Sequence, residues 1–122
     1  MPIVDVTIVV GRGEEIAADL AQTLAAAIGR AINTPAGQTW VRLHLLAHDR
    51  YAENSSQLKS TDLPVFVAVL TRRLPDRPQL VEAIAKLTRA ISEATGRPPD
   101  RVHIEYAPGA VGRVAFGGKL VE

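Results

Sequence analysis

The sequence contains no cysteine. A chain without cysteine cannot form a disulfide bond, offer a thiolate nucleophile or build a cysteine-ligated metal site. Its three histidines are not spaced like the ligands of a zinc motif: His44, His48 and His103. The stability and the chemistry of the protein must therefore come from its hydrophobic core and from other side chains.

The sequence also lacks an excess of one charge sign and long apolar runs. The chain has 14 basic and 13 acidic residues, so it gives no reason to predict binding to nucleic acid or to an anionic membrane. No apolar stretch approaches the roughly 18 residues of a membrane span, and the start lacks the pattern of a signal peptide. We expect one cytoplasmic domain, residues 1–122, with a core of its own.

The first dozen residues combine a strand pattern with an unusual terminal group. Alternate positions are apolar and share one face: Val4, Val6, Ile8 and Val10. If Met1 is removed, Pro2 carries a secondary amine, and α-amino groups titrate at about 7.7 to 8.0. This amine would stand on a rigid strand, with Arg12 just beyond the far end. The alternative is that Pro2 only begins an edge strand, where a missing N–H does no harm.

Helical spacing replaces this alternation after Gly13. Apolar residues recur at every fourth position: Ile16, Leu20, Leu24, Ile28 and Ile32. Glu14 and Glu15 are expected in the first turn of this helix, where carboxylates suit the helix dipole. Residues 34–37 end the helix, and a second strand follows at residues 39–46.

The same order of elements returns in the second half of the chain. Residues 64–70 repeat the strand pattern, Asp76 caps a second helix that stops at Gly96, and residues 101–106 form the last strand. The spacing between the halves is nearly constant, since Pro64 lies 62 residues after Pro2. The chain therefore consists of two β-α-β units with the same pattern.

Two such units predict an α+β fold with a four-stranded sheet and both helices on one face. The first unit, the polar connecting loop and the second unit are residues 2–46, 47–63 and 64–122. The other face of the sheet carries charged and aromatic side chains: Trp40, Arg42, His44, His103 and Glu105. A bare face of this kind favours association, and a closed ring of subunits covers it in every copy.

These features together resemble the tautomerase superfamily, which includes 4-oxalocrotonate tautomerase and the macrophage migration inhibitory factor. The resemblance covers a proline after the initiator methionine, a strand ending in Gly11 and Arg12, a strand with Val41 and Arg42, and the duplication. The segment from Gly112 to Leu120 also resembles the Gly-Gly turn with which family members add a strand to a neighbouring subunit. In this family, chains with two units form homotrimers, so the resemblance implies a homotrimer.

The resemblance also implies a set of functional residues. Pro2 matches the catalytic N-terminal proline, and Arg12 and Arg42 match the two arginines that 4-oxalocrotonate tautomerase uses on its dicarboxylate substrate. Arg72 resembles an arginine of fused members that decarboxylate malonate semialdehyde or process 3-chloroacrylates, and Arg73 is its weaker companion. No metal or organic cofactor is implied.

Three positions depart from the family pattern. Val114 stands where single-unit members have a phenylalanine, although Phe116 follows two residues later. His103 occupies in the second unit the place that Arg42 has in the first. Its role is either a contact with the substrate or a hydrogen bond at a subunit interface. Pro64 is internal, so its nitrogen is an amide and cannot act as a base. The resemblance therefore implies one working site per chain.

The chemistry expected of this set is proton transfer on a small carboxylate. Burial and nearby arginines should lower the pKa of the Pro2 amine, so that its neutral form can act as a base in an enol or dienol tautomerase. The alternative enzyme uses cationic Pro2 as a general acid in hydration, dehalogenation or decarboxylation of a three-carbon acid. A third hypothesis is that the protein is a non-enzymatic trimeric binding protein. For Arg42, an ion pair with Asp5 or Glu105 is the structural alternative.

Overall fold

A computed structural model describes residues 2–54 and 58–122. Met1, whose removal is expected from the sequence, lies outside the described residues. The first unit consists of β1 (Ile3–Val10), α1 (Leu20–Ala31) and β2 (Trp40–Ala47). The second consists of β3 (Val65–Leu70), α2 (Arg77–Thr95) and β4 (Val102–Tyr106), and two short strands follow, β5 (Ala115–Phe116) and β6 (Lys119–Leu120). Short 3-10 helices occur at His48–Arg50, Ser60–Asp62 and Pro99–Arg101.

The four long strands form one mixed sheet in the order β2-β1-β3-β4. Within each unit the two strands are parallel, whereas β1 and β3 pair antiparallel at the centre. In that central pair Ile3 lies opposite Leu70. The start of β1 therefore lies beside the end of β3, and the duplicated α+β fold predicted from the sequence is confirmed.

The core lies between the sheet and the two helices, which pack on the same face. It is built from alternate residues of β1 and β3 and from one stripe of each helix: Val4, Val6, Ile8, Val65, Val67, Val69, Leu20, Leu24, Ile28, Leu87 and Ile91. Burying each of these side chains contributes about 1.5 to 3 kcal/mol relative to leaving it exposed. The alternation and the helical spacing in the sequence thus predict the buried residues correctly.

The start of α1 differs from the prediction. The helix begins at Leu20, so Glu14 and Glu15 precede it and no acidic residue lies in its first turn. Glu14 instead accepts a hydrogen bond from the Gly11 N–H at 2.9 Å, which holds it in the turn after β1. Ile16 packs partly buried against the core from this non-helical segment. The prediction was wrong because the carboxylate has partners outside the helix.

The ends of α2 agree with the sequence. The Asp76 carboxylate accepts a hydrogen bond from the Gln79 N–H at 3.1 Å, and proline stands in the first turn. At the other end Gly96 adopts the left-handed conformation with φ of 73°. A residue with a Cβ resists that conformation, so glycine ends the helix here. Within the described residues, no helix is long and apolar enough to cross a membrane.

An ion pair between a buried arginine and a partly exposed glutamate joins the segment after α2 to the turn after β1. The Arg97 side chain donates to the two carboxylate oxygens of Glu14, at 2.7 Å each, and to the carbonyl of Val9 at 2.8 Å. Arg97 is only 9% exposed. Its guanidinium lowers the pKa of Glu14 from the ordinary value, chiefly through these hydrogen bonds. The pair connects residues that are 83 positions apart.

Replacing Glu14 with glutamine should destabilise the fold in a pH-dependent way. Removing one partner of a buried pair costs about 3 to 5 kcal/mol, and we expect about 3 kcal/mol because Glu14 is partly exposed. The folded-state pKa is depressed, so the carboxylate stabilises the fold fully above its ordinary pKa of 4.5 and progressively less as the pH falls below it. Urea unfolding from about pH 7 to pH 3 should therefore show the difference between variant and wild type shrinking toward acid.

Glu15→Gln is the matched control, because it removes the neighbouring exposed carboxylate, which does not bind Arg97. It should change the free energy of unfolding by no more than about 0.5 kcal/mol. A wild-type advantage over Glu14→Gln that stayed constant into acid would contradict the assigned role of the ion pair.

Candidate active site

Pro2 lies at the edge of the sheet where three chain segments meet. It is buried, and its carbonyl accepts the Trp40 N–H at 3.0 Å. Because β3 is antiparallel to β1 and parallel to β4, the ends of β3 and β4 reach the same edge as the start of β1. A cavity of about 410 Å³ opens there. Its walls come from both helices, from the residues that follow α1 and β3, and from the last residue of β4.

The wall formed by the end of β3 carries Arg72, an exposed arginine. The segment after β4 fixes its backbone, since the Val111 N–H donates to the Arg72 carbonyl at 3.2 Å and the Ala110 N–H donates to that of Thr71 at 2.9 Å. Gly109 packs so closely that a Cβ placed on it would lie 2.9 Å from the Arg72 carbonyl oxygen. Only glycine permits this approach.

The helical walls of the cavity are mostly apolar, apart from one ion pair. The end of α1 and the start of α2 contribute aliphatic side chains: Ala31, Ile32, Pro75 and Ala83. Glu82 and Lys86 also line the cavity and pair at 2.9 Å. Their charges offset each other, and Lys86 lowers the pKa of Glu82. Arg72 is therefore the cation that gives the cavity its net positive charge, which suits an anionic ligand.

Tyr106 is a cavity residue that the sequence did not single out. It ends β4, lies opposite Val69 of β3, and lines the same cavity as Pro2. Burial raises the pKa of its phenol. The hydroxyl is therefore protonated at neutral pH and can donate a hydrogen bond to a negative oxygen. The signal available in the sequence was positional, because parallel pairing with β3 carries the last residue of β4 to the Pro2 edge.

The structure brings only Pro2 and Arg72 of the predicted set together. Arg73 does not line the cavity, and its carbonyl accepts the Thr71 hydroxyl at 2.8 Å. Arg12 lies past the opposite end of β1. At about 3.3 Å per residue the ten steps from Pro2 to Arg12 span roughly 30 Å, which is beyond the reach of a side chain. In one chain, neither arginine shares the cavity with Pro2.

Arg42 and His103 lie on the open face of the sheet. Arg42 donates to the two carboxylate oxygens of Asp5 at 2.5 and 2.8 Å, so the ion pair with Asp5 that was its structural alternative is present. This arginine lowers the pKa of Asp5. The His103 ring contacts that of Phe66 at a tilt of 41°, with ring centroids 5.4 Å apart, beside a smaller hollow of about 210 Å³. Both residues are separate from the Pro2 cavity.

The C-terminal segment returns to the Pro2 edge. β5 and β6 form a hairpin whose turn contains two glycines with positive φ, Gly117 and Gly118. The ring of Phe116 meets that of Trp40 edge-on, with centroids 5.6 Å apart. Trp40 in turn holds the Pro2 carbonyl. The hairpin therefore braces the strand that positions Pro2.

The corresponding edge at Pro64 is built differently. Pro64 is fully buried, and its carbonyl accepts the Val9 N–H at 3.1 Å. The Arg97 guanidinium donates to the Val9 carbonyl and pairs with Glu14. The two proline edges of the duplicated fold thus differ, since one opens into a cavity and the other carries an ion pair.

Replacing Gly109 with alanine should disturb the Arg72 wall of the cavity. The added Cβ would meet backbone atoms of Arg72 and Arg73 at 2.9 and 3.1 Å, so the chain must shift. Overpacking of this kind costs about 1 to 3 kcal/mol. Denaturant unfolding should show that loss. Substitution of the adjacent exposed Pro108 by alanine is the control, and an equal effect in the two variants would contradict the close approach at Gly109.

No protein-family model and no curated protein sequence matches the chain. Solved structures match it over nearly its whole length. A fused 4-OT solved as an asymmetric trimer is 19% identical with a TM-score of 0.76, over 98% of this chain and 95% of that one. The macrophage migration inhibitory factor of Trichinella spiralis is 16% identical with a TM-score of 0.72, over 97% and 98%.

A third structure, of a protein inactivated by 2-oxo-3-pentynoate, is 19% identical with a TM-score of 0.75, over 98% of this chain and 95% of that one. Identities below 20% with such TM-scores establish a common fold. The fold that the sequence resemblance implied is therefore confirmed.

Proposed function

We propose that this chain, which has the fold of the fused 4-OT and macrophage migration inhibitory factor structures, is a cofactor-independent tautomerase of that superfamily. The observation that carries the proposal is the position of buried Pro2 in a cavity that also contains Arg72. Removal of Met1 and a cytoplasmic location are parts of the same proposal.

Pro2 acts in this proposal as a general base. With Met1 removed, its neutral secondary amine takes a proton from an enol hydroxyl or from a carbon next to a carbonyl. It then returns the proton to another carbon of the conjugated system. Burial of Pro2 supports this role, because a buried amine is easier to deprotonate than one in water. Proton transfer of this kind contributes roughly 10² to 10⁴ in rate.

Arg72 and Tyr106 complete the mechanism within one chain. Arg72 holds the substrate carboxylate through paired N–H donors. The Tyr106 hydroxyl, a protonated donor at neutral pH, donates to the oxygen on which enolate charge gathers. Since the rest of the cavity is largely aliphatic, it suits a monocarboxylate with an apolar body, such as phenylenolpyruvate.

A homotrimer would supply the remaining residues. In one chain Arg12 is too far from Pro2, and neither Arg42 nor His103 lines the Pro2 cavity. These three residues therefore contribute to the site only if they come from a neighbouring subunit. A relative with this fold is a trimer. The exposed aromatic and charged side chains on the open face of the sheet also support association. A neighbour's arginines would add a second carboxylate site and extend the substrate range to dicarboxylates such as 2-hydroxymuconate.

Pro2→Ala should abolish most of the activity. We expect kcat/KM for ketonisation of phenylenolpyruvate to fall about 10² to 10⁴-fold, because the variant has a primary amine in place of the proline base. The measurement follows the loss of enol absorbance, after mass spectrometry has shown that Met1 is absent from both proteins. Unchanged activity in the variant would overturn the role of Pro2, and an inactive wild type would overturn the tautomerase proposal in favour of a binding protein.

Arg72→Ala and Arg73→Ala form a matched pair of neighbouring substitutions. Arg72 lines the cavity and Arg73 does not. Loss of one positioned donor typically costs 10² to 10³ in rate, so we expect about that loss for Arg72→Ala and less than about threefold for Arg73→Ala. Steady-state kinetics on phenylenolpyruvate measure both. Equal losses in the two variants would contradict the assignment of Arg72 as the carboxylate anchor.

The second candidate keeps the same cavity but uses cationic Pro2 as a general acid on a small three-carbon acid. The position of Arg72 beside Pro2 favours it, since this arginine resembles the one in decarboxylating and dehalogenating members. The pH profile separates the two candidates. Activity that rises as Pro2 loses its proton supports the tautomerase, whereas activity on malonate semialdehyde or 3-chloroacrylate that requires the proton supports the alternative.

A further inference from the structure

In the turn that follows β1, a side chain is hydrogen-bonded to the backbone of the same turn. The Gly11 N–H donates to the Glu14 carboxylate at 2.9 Å, and the Glu14 N–H donates to the Gly11 carbonyl at 3.1 Å. Gly13, between them, has φ of 72°, which only glycine adopts without strain. Backbone geometry and a side-chain contact therefore fix residues 11–14 together.

Arg97 attaches this turn to the body of the protein. Its buried guanidinium binds both carboxylate oxygens of Glu14 and the carbonyl of Val9, two residues before the turn. Paired bonds between a guanidinium and a carboxylate restrict orientation as well as distance. The turn is thus anchored to the end of α2 at one point and to the end of β1 at another.

Arg12 lies at the tip of this anchored turn. It is exposed, and none of the ion pairs found in residues 2–54 and 58–122 includes it. The fold therefore gives strong support to the backbone of Arg12 and leaves the guanidinium directed outward. A group held in place before binding loses less conformational freedom when it engages a ligand. Such support is typical of a residue whose position matters.

We propose that the Glu14–Arg97 pair is a positioning device that holds Arg12 ready for a substrate carboxylate. The inference rests on the proposed function, in which Arg12 of one subunit reaches the Pro2 cavity of a neighbour. Glu14 and Arg97 are positioning residues and do not contact the substrate. Arg12 binds the carboxylate that Arg72 does not hold, so the device acts on dicarboxylates.

The test is a double-mutant cycle between Arg12→Ala and Glu14→Gln, with 2-hydroxymuconate as the dicarboxylate and phenylenolpyruvate as the monocarboxylate. Glu14→Gln should raise KM for 2-hydroxymuconate roughly tenfold, within the hundredfold that a misplacement of about 1 Å can cost. It should change KM for phenylenolpyruvate and both kcat values by less than about threefold. In the Arg12→Ala background it should have no further effect, since residues that act as one unit are not additive.

Glu15→Gln is the control, because it makes the same charge change beside the turn without touching Arg97. Should Glu14→Gln not fold, Glu14→Asp takes its place in the cycle. Aspartate keeps the charge beside Arg97 and shortens its reach to Gly11, so the same dicarboxylate-specific effect is expected.

Three results separate the possible failures. Equal losses on both substrates, or effects of Glu14→Gln and Arg12→Ala that add, would show that the ion pair supports only stability and would overturn this inference. An enzyme active on phenylenolpyruvate whose KM for 2-hydroxymuconate does not depend on Arg12 would also overturn it, and would leave the proposed function standing. An inactive wild type would overturn the proposed function, and this inference with it.

Discussion

Antiparallel pairing of β1 with β3 determines where the chemical groups of this chain lie. A β-α-β unit alone brings its two strands together in parallel, so its strand starts lie at one edge of the sheet and its strand ends at the other. Joining two units through antiparallel central strands places the start of each unit beside the end of the other. Pro2 begins the first unit and Arg72 follows β3 of the second. The cavity exists because this pairing juxtaposes them.

The same pairing creates two related edges of the sheet, which differ in their side chains. At the Pro2 edge both helices line a cavity. At the Pro64 edge the buried Arg97 enters and pairs with Glu14. A buried charge requires such a partner, since an unpaired guanidinium away from water is strongly unfavourable. One edge thus carries an ion pair that stabilises the fold, while the other has a cavity.

Local patterns in the sequence predicted the architecture because strands and helices differ in the spacing of their apolar residues. Alternating valines identified β1 and β3, and a cap at Asp76 with a stop at Gly96 identified α2. The start of α1 was mispredicted because Glu14 binds Arg97, which is distant in sequence and invisible to a local pattern. Tyr106 escaped notice for a related reason, since its place in the cavity follows from strand register.

Among the predicted arginines, sequence alone identified candidates but could not rank them. Arg72 and Arg73 are adjacent, yet only the first lines the cavity, because hydrogen bonds from the segment after β4 set the backbone of that turn. Arg42 matches a functional residue by resemblance, and in the isolated chain it pairs with Asp5. Such a pair on an exposed sheet face is weak in water, so a neighbouring subunit that brings an anion to this face can compete for the arginine. In the proposed function the chain therefore supplies a base and one anchor by itself, and the state of its other cations depends on what covers the open face.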